Sequence, residues 1–457
     1  MIRSHDDATI IAQCTPRGSG AIALLRIAGV DALSITNAMS TLGKHKKITD
    51  LPTHTIHYGW VTDQNKKHID QVMFLVMHGP KTFTGQDTIE ITCHNNQFII
   101  EKIIERAITC GARLADNGEF TKRAVLNKKI DLIQAEAINE LIHAQTQHAL
   151  KKSLSQLEGS LSEWTYKIAN NLVKALALSE ANFEFIDEEI SFAQPIKKII
   201  DQNLNTIVTI KKTFNQQQQI RQGIRITLVG SVNTGKSSLF NAIIGTQRAI
   251  VTNIAGTTRD SIEAGLYRNG NYWTLIDTAG LRQTNDVIEQ QGIKRSFEQA
   301  QRADIVLLVF DGSQKLSDIE QPIYKKLLRN FKNKIITVQN KSDLSIVGDM
   351  HRPTMDVLVS SKKNKNIEHI DQLIQQKIDS LFKHIESPFL LNQRHYNLIL
   401  KLEKSLQQIM TMLSANVQYE LLSYHLNDAI AQLSELSGKT ISEQGMDMVF
   451  REFCVGK

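Results

Sequence analysis

The feature that most limits how this chain folds is a helical pattern that stops and later resumes. In residues 121–220, Leu150, Leu154, Leu157, Leu161, Trp164, Ile168 and Leu172 follow one another at spacings of three or four. Such spacing makes a narrow apolar seam of the kind long packed helices use. The pattern returns in 379–457, first as Leu398, Leu402, Leu406, Ile409 and Leu413, then as Leu422, Leu426, Ala429, Leu433 and Leu436. Neither stretch alone has the apolar surface for a compact core. A single bundle built from both solves this, and it makes residues 221–378 an insertion. The polar run Asn215–Gln219 marks where the insertion starts, and reads as a solvated helix end.

The insertion has its own period. Ile224–Val229, Tyr272–Ile276, Ile305–Phe310, Ile335–Val338 and Val357–Val359 are short apolar runs with helical segments between most of them. Strands buried on both faces read as unbroken apolar runs, so a parallel, doubly wound α/β sheet is expected. Residues 1–120 are different again. Ala21–Ile27 and Val72–Val76 read as strands, Thr88–Thr92 alternates with period two, and Phe98–Ile108 places Ile99, Ile103 and Ile104 in helical phase. That stretch is expected to be an α+β domain.

Several classes are excluded. Hydrophobic residues make up 41% and charged residues 22%, which is ordinary for a globular chain and argues against wholesale disorder. The longest apolar run, Ile305–Phe310, is far shorter than the roughly 18 residues of a membrane span. Met1–Gln13 carries Asp6 and Asp7 and has no basic-then-apolar leader pattern, so a cytoplasmic location is expected. Cys14, Cys93, Cys110 and Cys454 lie far apart with no Cys-x-x-Cys pair, against a disulfide framework or thiolate zinc site. The net charge of +6 permits a nucleic-acid partner without requiring one.

Chemistry concentrates in the insertion. Gly230-Ser231-Val232-Asn233-Thr234-Gly235-Lys236-Ser237 follows a strand and precedes a helix, and it fits G-x-x-x-x-G-K-[ST]. Glycines there let backbone N–H groups curl around phosphate oxygens, Lys236 reaches the β- and γ-phosphates, and Ser237 ligates Mg²⁺. Gly256-Thr257-Thr258-Arg259-Asp260 supplies a threonine as second Mg²⁺ ligand. Asp277-Thr278-Ala279-Gly280 ends a strand with a carboxylate for the metal and a glycine N–H for the γ-phosphate. Asn340-Lys341-Ser342-Asp343 follows another strand, and a carboxylate at Asp343 accepts both N1–H and N2–H of guanine. Adenine has neither donor, so the site is expected to take GTP rather than ATP.

Two positions depart from the Ras-like pattern. Leu281 stands where those proteins place the glutamine that orients the attacking water, so another polar group must serve or hydrolysis is slow. Glu289 is in reach along the chain, although alone it reads as a solvated helix residue. Asn233 either brings an amide oxygen to a monovalent cation beside the phosphates or shapes the loop by a hydrogen bond.

With these residues in place, the chain resembles the tRNA modification GTPase MnmE (TrmE) family along essentially its whole length. The resemblance is carried by Thr15-Pro16, Leu25-Arg26, Phe83-Thr84-Gly85, Gly118–Ala124, Leu132–Ala137, the nucleotide motifs and the terminal Phe453-Cys454-Val455-Gly456-Lys457. It implies an N-terminal folate-binding and dimerising domain (1–120), a helical domain in two parts (121–220 and 379–457) and an inserted GTPase domain (221–378). Nucleotide contacts are implied for Asn233, Thr234, Gly235, Lys236, Ser237 and Ser238, and for Thr252, Asn253, Ile254, Ala255, Gly256, Thr257 and Thr258. Asp277, Thr278, Ala279 and Gly280 follow, then Asn340, Lys341, Asp343, Ser360, Ser361 and Lys362. By the same resemblance Asn233, Thr252, Ile254 and Thr257 ligate K⁺, Ser237 and Thr258 ligate Mg²⁺, and Glu289 positions the water.

The family works with an FAD-dependent partner, MnmG, as a heterotetramer or larger. Together they place an aminomethyl-type group, such as carboxymethylaminomethyl, on C5 of the wobble uridine (position 34) of certain tRNAs. A 5-formyl- or methylene-tetrahydrofolate supplies the carbon. Arg26, Glu90, Lys129 and Lys457 fall on the folate-contacting positions, and Cys454 is a candidate thiol there or a small packed residue near a chain end. His94-Asn95-Asn96 replaces the usual His-Gly-Gly turn, a change that asparagine's tolerance of positive φ would accommodate. Ser360-Ser361-Lys362 lacks the usual alanine, leaving the Ser361 N–H for the guanine O6. A ribosome-assembly GTPase explains the insertion and the basic pI but neither the N-terminal domain nor Cys454–Lys457. A family member that binds GTP yet modifies nothing is opposed by Lys236 and Glu289.

Overall fold

A computed structural model describes residues 8–43, 46–184, 192–212, 214, 221, 223–245, 262–277, 297–345, 347–348, 353–382, 387–414 and 418–456. Contacts divide the chain into two units. The first comprises the described parts of Met1–Asn139, Gln156–Asn205 and Asn397–Lys457, the second those of Glu140–Ser155 and Thr206–Tyr396.

The first unit opens with strands β1 (Ile10–Gln13), β2 (Ile22–Ala28), β3 (Ser40–Leu42), β4 (Thr55–Thr62), β5 (His68–Met77), β6 (Thr88–His94) and β7 (Arg113–Leu114). They form one sheet in the order β3-β4-β5-β6-β2-β1-β7, antiparallel except for the β1–β7 pair. One face is closed by helices Ala32–Ala38 and Gln97–Thr109, whose Ile35, Ile100, Ile103 and Ala107 pack on Leu25, Ile27, Phe74, Val76, Ile89 and Ile91. This α+β arrangement is the expected one. The turn before the second helix is built differently from expectation. Asn96 has φ −119°, and neither Asn95 nor Asn96 adopts a positive φ. Asn96 caps the helix by accepting the Phe98 N–H at 3.0 Å, while the Asn95 amide donates to the Gly18 carbonyl at 2.8 Å. Asparagine serves here through its side chain.

Helix Glu119–Leu126 starts at Gly118, whose φ of 66° is left-handed. A Cβ there would lie 2.8 Å from both the Phe450 carbonyl oxygen and the Phe453 Cβ, so the chain's last segment seats against it. Glu119 is buried between two cations, accepting from Arg113 at 2.6 and 2.8 Å and from Arg123 at 2.7 and 3.2 Å. Burial pushes this carboxyl up, but Arg113, the Asp116 N–H and Arg123 more than offset it and hold the group below its usual range. A depressed folded pKa contributes stability above the unfolded value, near 4.3, and loses it as pH falls through the folded one. Glu119→Gln should therefore destabilise at pH 7 by about 3 kcal/mol, because it strands a buried Arg123. The difference from the parent should shrink below about pH 4 in denaturant melts; a gap independent of pH would refute the assignment.

Helices Ser160–Glu184 and Tyr419–Leu436 lie along one another, joining segments far apart in sequence. Leu161, Ile168, Leu172 and Ala175 are buried on one, Leu422, Leu426, Ala429 and Leu433 on the other, and the Ser179 and Ser423 hydroxyls hydrogen-bond at 2.8 Å. The split bundle is thus present. The seam read through it is not continuous. Helix Gln147–Leu157 ends at Gly159 (φ 107°), and Leu150 and Leu154 are exposed, whereas Ala149, Ser153 and Gln156 are buried. Leu150 and Leu154 therefore do not belong to the buried face of their own helix.

The second unit contains β8 (Ile224–Val229), β9 (Ile262–Arg268), β10 (Asn271–Asp277), β11 (Ile305–Asp311), β12 (Ile335–Asn340) and β13 (Val357–Leu358), in the order β13-β12-β11-β8-β10-β9. The pairs are parallel, as expected, except for β9, an antiparallel edge strand that its composition concealed. It is joined to β10 by Asn269 (φ 48°) and Gly270 (φ 75°), the left-handed pair of a two-residue hairpin turn. Helices Lys236–Gly245 and Ile367–Phe382 pack Leu239, Ile243, Ile370, Ile374 and Ile378 onto one side of the sheet, and Glu320–Phe331 packs Tyr324 and Leu327 onto the other.

Candidate nucleotide site and family membership

The crossover from β8 into helix Lys236–Gly245 places residues 230–236 at the carboxyl end of the sheet, where doubly wound folds bind ligands. Close packing explains the glycines. A Cβ at Gly230 would overlap the Val309 carbonyl oxygen, and one at Gly235 (φ 88°) the Asn340 amide. Asn233 has φ 65° and is exposed at the tip of the loop. Lys236 is buried, its Nζ donating to the Gly230 and Ser231 carbonyls at 2.9 and 2.7 Å. Burial pushes its ammonium below the usual lysine value, and the carboxylate of Asp277, fully buried at the end of β10, pulls the other way. Ser237 and Ser238 are exposed at the start of the helix. Lys236 and Asp277 therefore lie close enough to interact, with Ser237 exposed one position after the lysine.

The residues expected to read the base come from the loops after β12 and β13. The Asn340 amide donates to the Thr234 carbonyl at 3.0 Å, tying the two motifs together. Its Oδ1 accepts from both the N–H and the hydroxyl of Ser361, each at 3.1 Å. The Ser361 N–H expected on the guanine O6 thus has a protein acceptor here. Ser360 is buried and its hydroxyl donates to Asp343 at 2.6 Å, holding that carboxylate below its ordinary range. Lys341, with φ 64°, reaches Asp311 at 2.6 Å. An open cleft of about 390 Å³ is lined by Ser238, Asn241, Ala242, Gly245, Ser361 and Asn364. Lys362 is exposed beside it.

Two contributors escaped the sequence reading. The Tyr324 hydroxyl, from helix Glu320–Phe331, accepts the Ser231 N–H at 2.8 Å and donates to Val309 at 3.2 Å, bracing the phosphate loop. Asp311 anchors Lys341. Asp311 had a signal, an acid closing the apolar run Ile305–Phe310; Tyr324 had none. Thr252, Asn253, Ile254, Ala255, Gly256, Thr257, Thr258, Thr278, Ala279, Gly280, Leu281, Glu289 and Lys457 lie outside the described residues.

Comparison with known proteins matches a family model described as the MnmE helical domain to residues 132–454, and one described as the GTP-binding protein TrmE N-terminus to residues 9–129. The tRNA modification GTPase MnmE of Flavobacterium johnsoniae is 35% identical, over 98% of this chain and 99% of that protein. That of Streptococcus mutans is 37% identical over 100% of both. The chain belongs to the MnmE family. The MnmE of Lachnoclostridium phytofermentans is a further relative, 35% identical over 98% of this chain and 99% of that protein.

The other residues singled out by the MnmE resemblance lie in the first unit. Arg26 and Glu90 face each other across β2 and β6, with Arg26 Nε and Nη2 donating to Glu90 Oε1 at 2.9 and 2.7 Å. The guanidinium carbon sits 5.4 Å from the centre of the Phe120 ring. Lys129 donates to the Pro80 carbonyl at 2.8 Å, and its stem passes Gly85. The chain's end returns to this sheet. Cys14 Sγ donates to the Gly456 carbonyl at 3.1 Å, the Gly118 N–H donates to the Cys454 carbonyl at 3.3 Å, and Phe453 is buried.

Cys454 itself is exposed, so packing does not account for it. Cys93 is the opposite: burial, reinforced by Asp70, pushes its thiol up to about 12. Alkylation of the folded protein near pH 8 should label Cys454 at least tenfold faster than Cys93, read by peptide mass spectrometry. Equal rates would contradict both environments.

Proposed function

We propose that this chain is a Mg²⁺-dependent GTP hydrolase of tRNA modification. Hydrolysis would be stimulated by K⁺, and a homodimer would act with the FAD-dependent partner MnmG on the wobble uridine. The observation that carries the reading is the convergence of Lys236, Asp277, Asn340 and Asp343 on one loop cluster, in a chain whose relatives are named as tRNA modification GTPases. Lys236 balances phosphate charge, Ser237 and Thr258 hold Mg²⁺, and the loop N–H groups cradle the phosphates. Asn233, exposed and left-handed, would offer its amide oxygen to the cation. Thr252, Ile254 and Thr257 are proposed to complete that shell, and Glu289 to orient the water in place of Leu281.

A bound tetrahydrofolate would supply the one-carbon unit. The donor set suits it: the Arg26 guanidinium grips only Oε1 of Glu90, leaving Oε2 for a pterin amino edge. Lys129 and Lys457 offer cations for its glutamate tail, and Cys454 an exposed thiol nearby. Three domains, with residues 1–120, 121–220 plus 379–457, and 221–378, are proposed to divide these tasks.

The cation part is tested by exchange. Replacing K⁺ with Na⁺ at constant ionic strength should lower kcat for GTP at least tenfold, and Glu289→Ala roughly 10³-fold, in steady-state phosphate release. Rates unchanged by either would refute it. The tRNA part is tested by nucleoside analysis of bulk tRNA from cells lacking the gene, in which unmodified wobble uridines are expected to accumulate.

A further inference from the structure

We propose that the cationic face of helix Glu320–Phe331, with the elements beside it, docks the phosphate backbone of the RNA. This rests on the functional reading above and names a surface for its partner. Tyr324 and Leu327 are the buried face of this helix. Lys325, Lys326, Arg329 and Lys332 are exposed, and the i, i+4, i+7 spacing of Lys325, Arg329 and Lys332 makes one stripe. The stripe continues onto separate elements. Lys334 donates to the carbonyls of Gln301 and Ala303, which brings exposed Arg302 alongside, and Lys377 from helix Ile367–Phe382 donates to the Asn333 carbonyl.

Cations at a helix C-terminus are ordinary, since they complement the exposed carbonyls there. One or two suffice for that, and the interaction fades within a turn. Here the charge runs from Lys325 past the helix end and draws on two neighbouring elements. Among the described residues the acids nearby are few. Asp304 lies beside Lys334 but already accepts from the Arg225 N–H at 2.9 Å, and Glu298 is exposed near Phe297, whose ring lies 5.2 Å from Lys326 Nζ. Glu320 sits at the far end of the helix, where Ser231 and Ser317 hydrogen-bond it. The surface presents no large exposed apolar side chain between Lys325 and Lys334, which suits a polyanion in water rather than a bilayer.

The test is filter binding of bulk tRNA to the full-length chain across a salt series. The triple variant Lys325→Ala, Lys326→Ala, Arg329→Ala should flatten the slope of log K against log salt by about 2–3, at 0.7–0.9 per lost phosphate contact. Affinity at about 0.1 M salt should fall between about ten- and a hundredfold, with tRNA-free GTP hydrolysis unchanged. A control triple, Lys66→Ala, Lys67→Ala, Lys102→Ala, removes the same charge from exposed positions of the first unit. An unchanged slope in the first triple, or equal losses in both triples, would overturn the surface and leave the functional reading standing. A parent chain that binds no tRNA even at low salt would remove that reading, and the surface with it.

Discussion

Asp343→Asn should move the base preference of the site from guanine to xanthine. The reason lies in Ser360, whose buried hydroxyl donates to one oxygen of Asp343 at 2.6 Å. In the asparagine variant the side-chain carbonyl keeps that bond, which turns the amide NH₂ toward the base. Guanine then meets donors with its own N1–H and N2–H. Two charge-assisted hydrogen bonds at about 1.5–3 kcal/mol each put the loss of GTP affinity at roughly 10²–10⁴-fold. Xanthine carries an acceptor in place of the 2-amino group, so XTP should bind the variant better than GTP does. Competition of both nucleotides against a fluorescent GDP reads the exchange. Retained GTP affinity would mean that Asp343 does not face the base.

Lys236→Met should lower kcat/KM for GTP roughly 10³-fold while leaving the domain folded. Methionine preserves most of the volume that the buried lysine fills and removes its charge. The lysine now donates to the Gly230 and Ser231 carbonyls, so its ammonium is already positioned inside the loop. Losing those two bonds is offset by no longer burying a cation, and thermal stability without nucleotide should shift by about 1–2 kcal/mol at most. Steady-state hydrolysis and nucleotide-free melting separate the two quantities. Full turnover in the variant would remove Lys236 from the machinery; collapse of the fold would make its role structural.

What was legible in the sequence was local. The phosphate loop could be read because its glycines, lysine and serine are consecutive, and the constraint on each is its own backbone or a neighbour a few residues away. Asn340–Asp343 is likewise one short segment between a strand and a turn. The bracing of that loop was not legible. Tyr324 meets Ser231 at a separation of 93 positions and Lys341 meets Asp311 at one of 30, and no spacing rule relates either pair. The helical seam failed for a related reason. Apolar spacing was counted through the break at Gly159, and before it the buried positions are Ala149, Ser153 and Gln156 rather than Leu150 and Leu154, which spacing alone does not reveal.

Sequence by itself determined the parts: three patterns of hydrophobic period, a phosphate loop, a base-reading loop and a tail recognisable by its residues. It also determined that the two helical stretches need each other, since neither can bury its apolar side alone. The tertiary structure decided the pairings. It set Glu119 between Arg113 and Arg123, made Asn96 a helix cap, laid the chain's end against Gly118 and Cys14, and tied Lys334 to Gln301 and Lys377 to Asn333 beside the end of helix Glu320–Phe331. Hydrogen bonds and ion pairs act over a few ångströms in space, whereas a motif records only neighbours along the chain. Contacts between distant segments become visible only once folding has brought them together.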